Sequence, residues 1–221
     1  RGVAVTVLEA ERFPRFHVGE SFLPRTLELL RELGLEDRLA RLPRIRKLGA
    51  EFLMGHGDYA ASEVWFADAL GGGDPETFNT ARAAFDQMLL EAARDAGAEV
   101  REGVRVRSID RLADGDVRLE TNAGPVAARW LVDASGQAAV VGRHLGTRRV
   151  LARHRKVAHF AHMTGVWRNP GDREGFPTVV MTDEGWFWII PVDESRTSVG
   201  LVIDQAAARA AGEPPRRMLA W

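Results

Sequence analysis

The chain has 221 residues, 45% of them hydrophobic, and its 30 basic and 31 acidic residues leave a formal net charge of −1. That is enough chain for one or two cores, and no strong charge draws it toward nucleic acid or an anionic membrane surface. The absence of cysteine excludes disulfides and thiolate chemistry, leaving any metal to histidine and carboxylates.

His17, His56, His144, His154, His159 and His162 show no metal-ligand spacing with a neighbouring carboxylate, so no metal site is expected. His159 and His162 flank an apolar strand and read as packed or solvated. No apolar run approaches the length of a membrane span and no signal peptide is visible, which predicts a cytoplasmic protein with neither membrane nor nucleic acid as partner. The chain opens on Arg1 inside an apparent strand and stops at Trp221, and is read as a fragment lacking material at both ends.

Val3 to Leu8 is rich in β-branched residues, as expected of a parallel strand covered on both faces. Glu9 stands at its C-terminal end, where dinucleotide-binding folds place an acidic residue on a ribose hydroxyl, with the glycine fingerprint about 20 residues upstream. A solvated strand-end carboxylate is the plain alternative. Leu23, Leu27, Leu30 and Leu33 then keep a 3.6-residue period, with Ser21 as expected N-cap, Pro24 in the first turn and Gly34 as the stop. Gly19 before that helix start suggests amides free to meet a pyrophosphate or a chloride ion. Simple capping explains the same residues.

Only Lys47 and Lys156 interrupt an otherwise all-arginine basic set. Lysine can lose its proton when desolvated and present a nucleophilic amine, which arginine cannot. Lys156 lies among Arg153, His154 and Arg155 and reads as chance. Lys47 leads into the strand Glu51 to Met54, and reads either as a solvated loop residue or as a functional amine.

Ser62 to Phe66 is a second strand, joined to the first across Gly55-His56-Gly57-Asp58, and Gly71-Gly72-Gly73-Asp74-Pro75 is a connector. Thr80 is expected to open a helix with Phe85, Met88, Leu89, Ala92 and Ala96 on one stripe, ended by Gly97. Arg82 and Asp86 fall at i and i+4 on it and can pair. Val104 to Ile109, Val117 to Thr121 and Val126 to Val132 read as strands, the first two joined through Asp114-Gly115-Asp116, and the last running into Asp133-Ala134-Ser135-Gly136. A helix follows over Val140 to Leu145.

Val157 to Val166, Thr178 to Thr182, Trp186 to Ile190 and Ser198 to Ile203 read as antiparallel strands. Alternation puts Trp186 and Trp188 on one face of their strand and Phe187 and Ile189 on the other, with Pro191 ending it. Two indoles on one sheet face either fill a core or line a passage that keeps bulky groups from something reactive. Gln205 to Ala211 starts a helix, broken by Pro214-Pro215.

Three stretches resemble the flavin-dependent halogenases: Gly19-Glu20-Ser21 with Pro24, the run Lys47-Leu48-Gly49-Ala50-Glu51-Phe52, and Trp186-x-Trp188-x-Ile190-Pro191. Arg82-x-x-Phe85-Asp86 and Asp133-Ala134-Ser135-Gly136 resemble elements of the wider p-hydroxybenzoate hydroxylase superfamily. The resemblance implies an α/β fold, with a Rossmann-like FAD-binding domain and an antiparallel β-sheet substrate domain. Its segments would be residues 1–46 and 79–148 for FAD, 47–78 and 149–204 for the substrate-side sheet, and 205–221 for the start of a truncated helical part. It implies FAD, reduced by a separate flavin reductase, with chloride or bromide as co-substrate. Glu9, Gly19, Ser21, Arg82, Val106, Asp133 and Gly136 are the cofactor-binding candidates that follow. Hypohalous acid would be routed to Lys47 as the catalytic residue, with Trp186, Trp188 and Pro191 lining the substrate side. The acceptor would be an electron-rich phenol, pyrrole or indole, free or tethered to a carrier protein. The glycine-rich nucleotide fingerprint should precede Arg1, and the Gly-Asp element at the ribityl chain should follow Trp221. An aromatic hydroxylase of the same fold and a flavin-binding paralogue without turnover are the alternatives.

Overall fold

The computed structural model describes residues 2–56, 60–70, 72–151 and 154–212. In chain order the elements begin with β1 (Thr6–Glu9), α1 (Pro24–Glu32), α2 (Glu36–Ala40), β2 (Arg44–Lys47), β3 (Gly49–Met54) and β4 (Ser62–Trp65). They continue with β5 (Thr77–Thr80), α3 (Arg82–Asp95), β6 (Glu99–Glu102), β7 (Val106–Ala113), β8 (Asp116–Thr121), β9 (Gly124–Ala128) and α4 (Val140–His144). The last are β10 (Lys156–Thr164), β11 (Thr178–Met181), β12 (Gly185–Pro191), β13 (Arg196–Asp204) and α5 (Gln205–Ala211). This mixed α/β architecture is the expected fold class.

The chain divides into two compact units, Arg1–Arg15 with Leu89–Leu151, and Phe16–Met88 with Ala152–Trp221. In the first, β1 and β6 form a parallel pair and β7-β8-β9 an antiparallel sheet. Ile109, Val117 and Leu119 are its buried core, packed by Leu8, Val106, Leu131 and Val141. The expected first strand is shorter than read. Its ladder begins at Thr6 opposite Glu99, and Val3 and Val5, ahead of that register, are exposed. The third expected strand also stops early, at Ala128, and Trp130 and Val132 beyond it are exposed.

In the second unit a six-stranded sheet runs β10-β13-β12-β11-β3-β4 and a two-stranded ladder pairs β2 with β5. The larger sheet is antiparallel except where β11 lies parallel to β3. β5 was hidden in the sequence: Thr80 closes this strand rather than opening a helix, and α3 begins at Arg82. Lys47 likewise closes a strand rather than sitting in a loop. Phe22, Phe78 and Phe85 pack with ring centroids 4.5 to 5.8 Å apart and form the apolar bed of the β2–β5 region. Aromatic pairs of this kind add about 0.5–1.5 kcal/mol each beyond area burial.

Register sorts the larger sheet into two faces, since directly paired residues share a side. Phe52, Val179, Trp188, Gly200 and Phe160 form one row across it, and Met54, Met181, Trp186 and Val202 the next. The opposite face carries Glu51, Thr178 and Ile189 in one row, then Leu53, Val180, Phe187 and Leu201. Leu201 and Ile203 are buried there beneath Ala208 of α5.

Candidate functional site

The Gly19-Glu20-Ser21 segment is extended, not helical. The Thr80 N–H donates to the Glu20 carbonyl at 2.9 Å, the Phe22 N–H donates to the Phe78 carbonyl at 3.1 Å, and Ser21 bridges Asn79. Ladder bonds therefore hold the chain straight as far as Leu23, which is the N-cap of α1 and makes no side-chain capping bond. Ser21 is thus not the N-cap, because two backbone bonds to β5 outweigh one side-chain cap. Gly19 stands away from the helix start, so its amide belongs to no helix-terminal anion site.

Gly19 has φ +116°, and a Cβ there would meet Arg82 Nη1 at 2.8 Å. Arg82 pairs bidentately with Asp86, Nε to Oδ1 at 2.7 Å and Nη2 to Oδ2 at 3.0 Å, as the i, i+4 spacing predicts. Its remaining nitrogen Nη1 donates to the Val18 carbonyl at 3.1 Å. A planar five-donor fork can do both at once, which a lysine could not. Arg82 and the Gly19 segment are therefore brought together.

Lys47 and that same segment also meet. Lys47 is 4% exposed, its Nζ donates to the Phe22 carbonyl at 2.9 Å and lies 5.1 Å from the Phe66 ring centroid. Among the described residues no carboxylate comes within ion-pair distance of it. Burial, uncompensated by a negative charge, pushes its pKa down to about 8. Thr77 stands opposite Lys47 in the ladder. The side-chain oxygens of Ser21, Thr77 and Asn79 are buried without hydrogen-bond partners. Buried polar atoms are nearly always satisfied, so three unpartnered oxygens in one small region are groups that a bound molecule or water can complete.

Trp186 and Trp188 share a face as the alternation requires, and both are half-buried. Trp188 Nε1–H donates to Ser198 Oγ at 3.1 Å, and its ring stacks with Phe160 at 6.2 Å. Gly200 provides the seat: a Cβ there would lie 2.1 Å from the indole. Pro191 ends β12, opposite Thr197.

His162 is not merely packed or solvated. Its Nε2 lies 2.5 Å from Oε1 of Glu20, which is 3% exposed, and Phe16 packs edge-on against the imidazole. His162 faces Ser198 across the sheet and so sits on the tryptophan face. Sequence reasoning missed this pair because its members are 142 residues apart and neither carries spacing that announces the other.

In the first unit the cofactor candidates are partly engaged by their own loops. Glu9 Oε1 accepts the Glu11 N–H at 2.8 Å. Asp133 Oδ1 accepts Ser135 N–H and Oγ–H, and Oδ2 accepts Val141 N–H at 2.9 Å. Those bonds hold the Asp133 carboxyl below its usual range, the Ser135 hydroxyl foremost. Gly136 begins a short 3-10 turn with φ +58°, and the space where a Cβ would stand is open. The Val106 side chain packs on the core.

A family described as FAD binding domain matches residues 1–217. Flavin-dependent halogenase armH3 of Armillaria mellea is 34% identical over 91% of this chain and 42% of its own length. A 1H-pyrrole-2-carbonyl peptidyl-carrier protein chlorinase of Pseudomonas fluorescens is 31% identical over 91% of this chain and 50% of its own. Among solved structures, the flavin-dependent halogenase CmlS superposes with a TM-score of 0.89 at 30% identity, covering 99% of this chain and 40% of that one. The chain thus spans 40 to 50% of the length of these proteins. Among the described residues no helix is long and apolar enough to cross a membrane. Matched by that family over residues 1–217, the chain belongs to the FAD binding domain family, and flavin-dependent halogenases are among its relatives.

Proposed function

We propose that the full-length protein is a flavin-dependent halogenase acting on an electron-rich aromatic ring. The observation that carries this reading is Lys47, a buried amine whose pKa is pushed down to about 8 with no carboxylate to hold its charge. Such an amine is partly neutral near neutral pH and can act as a nucleophile toward an electrophilic halogen. A lysine kept only for solubility has no reason to be buried at this cost.

The unpartnered Ser21 hydroxyl fits a ligand rich in hydrogen-bonding groups, and Gly19 leaves room beside it for the Arg82 guanidinium. Glu9, Gly19, Ser21, Arg82, Val106, Asp133 and Gly136 are the residues assigned to FAD. When bound and reduced, FAD supplies with oxygen and chloride or bromide the hypohalous acid that halogenation requires. Lys47 holds the halogen as an electrophile and releases it to the ring, whose displaced proton leaves to a base or to water. Trp186, Trp188 and Pro191 are assigned to the substrate side, where the two indoles form a rigid wall that keeps the organic ring away from the flavin.

The domain roles follow the same reading, with residues 1–46 and 79–148 serving the flavin and 47–78 and 149–204 the substrate. A separate flavin reductase is the partner, and the location is cytoplasmic. The pyrrole chlorinase relative, whose substrate is carried on a peptidyl-carrier protein, supports a tethered ring as one form of acceptor.

The test uses the full-length protein with FAD, a flavin reductase, NADH, oxygen and a phenol, following product mass with and without halide. Halide-dependent product that vanishes in Lys47→Ala, while flavin oxidation continues, is expected. Hydroxylated product regardless of halide would overturn the reading in favour of an aromatic hydroxylase.

A further inference from the structure

A small cavity lies against the face of the larger sheet opposite the tryptophans, with a volume of about 180 Å³. Its floor is Leu53, Val180 and Ile189, and Phe176 and Trp167 from the connection between β10 and β11 line it as well. An apolar protein cavity of about 150 Å³ holds one benzene molecule. The space here is that of a single ring, and most of its wall is hydrocarbon. Trp167, which lines it, is largely exposed.

One charged side chain interrupts the apolar wall. Glu51 is 7% exposed and lines the cavity. Asn169 Nδ2–H donates to its Oε2 at 3.1 Å and Thr178 Oγ1–H to the same oxygen at 2.9 Å. No hydrogen bond from a described residue reaches its second oxygen, Oε1. Among the described residues Arg168 is the one cation lining the cavity, and it is committed elsewhere: its guanidinium donates to the Asp193 and Arg196 carbonyls at 2.7 and 3.0 Å. A buried carboxylate with one oxygen free strongly favours a donor, and an apolar slot of this size favours a flat one.

We propose that this cavity binds the single ring of an acceptor carrying one hydrogen-bond donor, a phenol hydroxyl or a pyrrole N–H, with Glu51 Oε1 as the acceptor for that donor. Its identification as the substrate subsite rests on the halogenase reading; its ability to bind such a ring does not. The position suits that role. Glu51 follows Lys47 by four residues, so their Cα atoms are at most about 14 Å apart. Ile189 and Pro191, on the same cavity wall, come from the tryptophan strand itself. A hydrogen bond from a ring donor to Glu51 also raises electron density on the ring, which favours attack by an electrophile.

The experiment is calorimetric titration of the full-length protein, without reductant or halide, using phenol, pyrrole and anisole as probes. Phenol or pyrrole should bind saturably, and anisole, which has the ring but no donor, at least tenfold more weakly. Glu51→Gln keeps an acceptor for Asn169 and Thr178 but removes the charge, and should weaken phenol about tenfold. Val180→Phe fills the cavity while leaving Glu51 unchanged in sequence and should abolish saturable binding, with circular dichroism showing that the fold is kept. The proposal is overturned if neither phenol nor pyrrole binds saturably, if anisole binds as well as phenol, or if Val180→Phe binds phenol unchanged. These titrations need no turnover, so a protein that binds phenol here yet hydroxylates it sinks only the halogenase reading, and one that halogenates without this binding sinks only the cavity.

Discussion

His162 Nε2 stands 2.5 Å from the buried Glu20 carboxylate, while two residues further along the same extended segment the Phe22 carbonyl accepts the Lys47 ammonium. One short stretch of backbone thus ties the tryptophan-bearing sheet to the amine. Replacing Glu20 by Ala should cost about 2–3 kcal/mol, because a hydrogen bond to a charged group is lost and the His162 nitrogen is left without its partner. Urea unfolding measures this, and Glu20→Gln should recover about half. Equal stability of all three proteins would show that the pair is incidental.

Lys47 makes stability depend on pH. Its folded pKa of about 8 lies below the usual lysine value, so the unfolded chain binds the proton more tightly. Stability therefore rises with pH between about 8 and 10.5, and the penalty is fully present below pH 8, at roughly 3 kcal/mol. Lys47→Met should flatten that slope and stabilise the protein at pH 7 by about 2–3 kcal/mol, while removing halogenation. Thermal unfolding at pH 7 and pH 9.5 for both proteins is the measurement; parallel profiles would refute a depressed amine.

Gly200 is where Trp188 rests. Gly200→Ala drives a methyl into the indole, which must swing away and release Ser198. The expected loss is about 1–3 kcal/mol, as for other overpacked sites, with a red shift in tryptophan emission. Trp188→Phe on the Gly200→Ala background should restore most of the stability, since the smaller ring leaves room. A Gly200→Ala protein with native stability and emission would mean the indole is not wedged there.

Arg82→Lys keeps the charge but cannot hold Asp86 bidentately and the Val18 carbonyl together. FAD affinity of the full-length protein, read by flavin fluorescence, should fall several-fold with the fold intact. Unchanged affinity would leave Arg82 a structural partner of Asp86 and of the Val18 carbonyl, with no role toward the flavin.

Much of the fold was legible in the sequence. Strong local patterns declared themselves: the tryptophan strand by alternation, α1 by its leucine period, the β7–β8 hairpin by Asp114-Gly115. β5 did not, because Thr77 to Thr80 has no alternation of its own and becomes a strand only by pairing with β2 and Ser21. For the same reason Ser21 and Thr80 were misread as helix openers; tertiary pairing overrode a local capping preference. Of the site, Lys47 was visible as a lysine among arginines. Its burial, the Glu20–His162 pair and the cavity carboxylate Glu51 depend on chain segments far apart in sequence and could not be read from spacing. The last of these also hid inside a motif, within the run Lys47 to Phe52.

The parallel pairing of β3 with β11 has a consequence for how the molecule is made. Glu51 and Thr178, neighbours in that ladder, are separated by 127 residues. At ribosomal speeds of about 5–20 residues per second, the strand that follows Lys47 waits roughly 6–25 s after it is synthesised before its partner exists. Throughout that interval the edge facing β11 is unpaired, and Phe52 and Met54 on it are exposed even in the finished fold. Yield in the cell should therefore respond to translation rate and to chaperones that shield strand edges, independently of how stable the completed protein is.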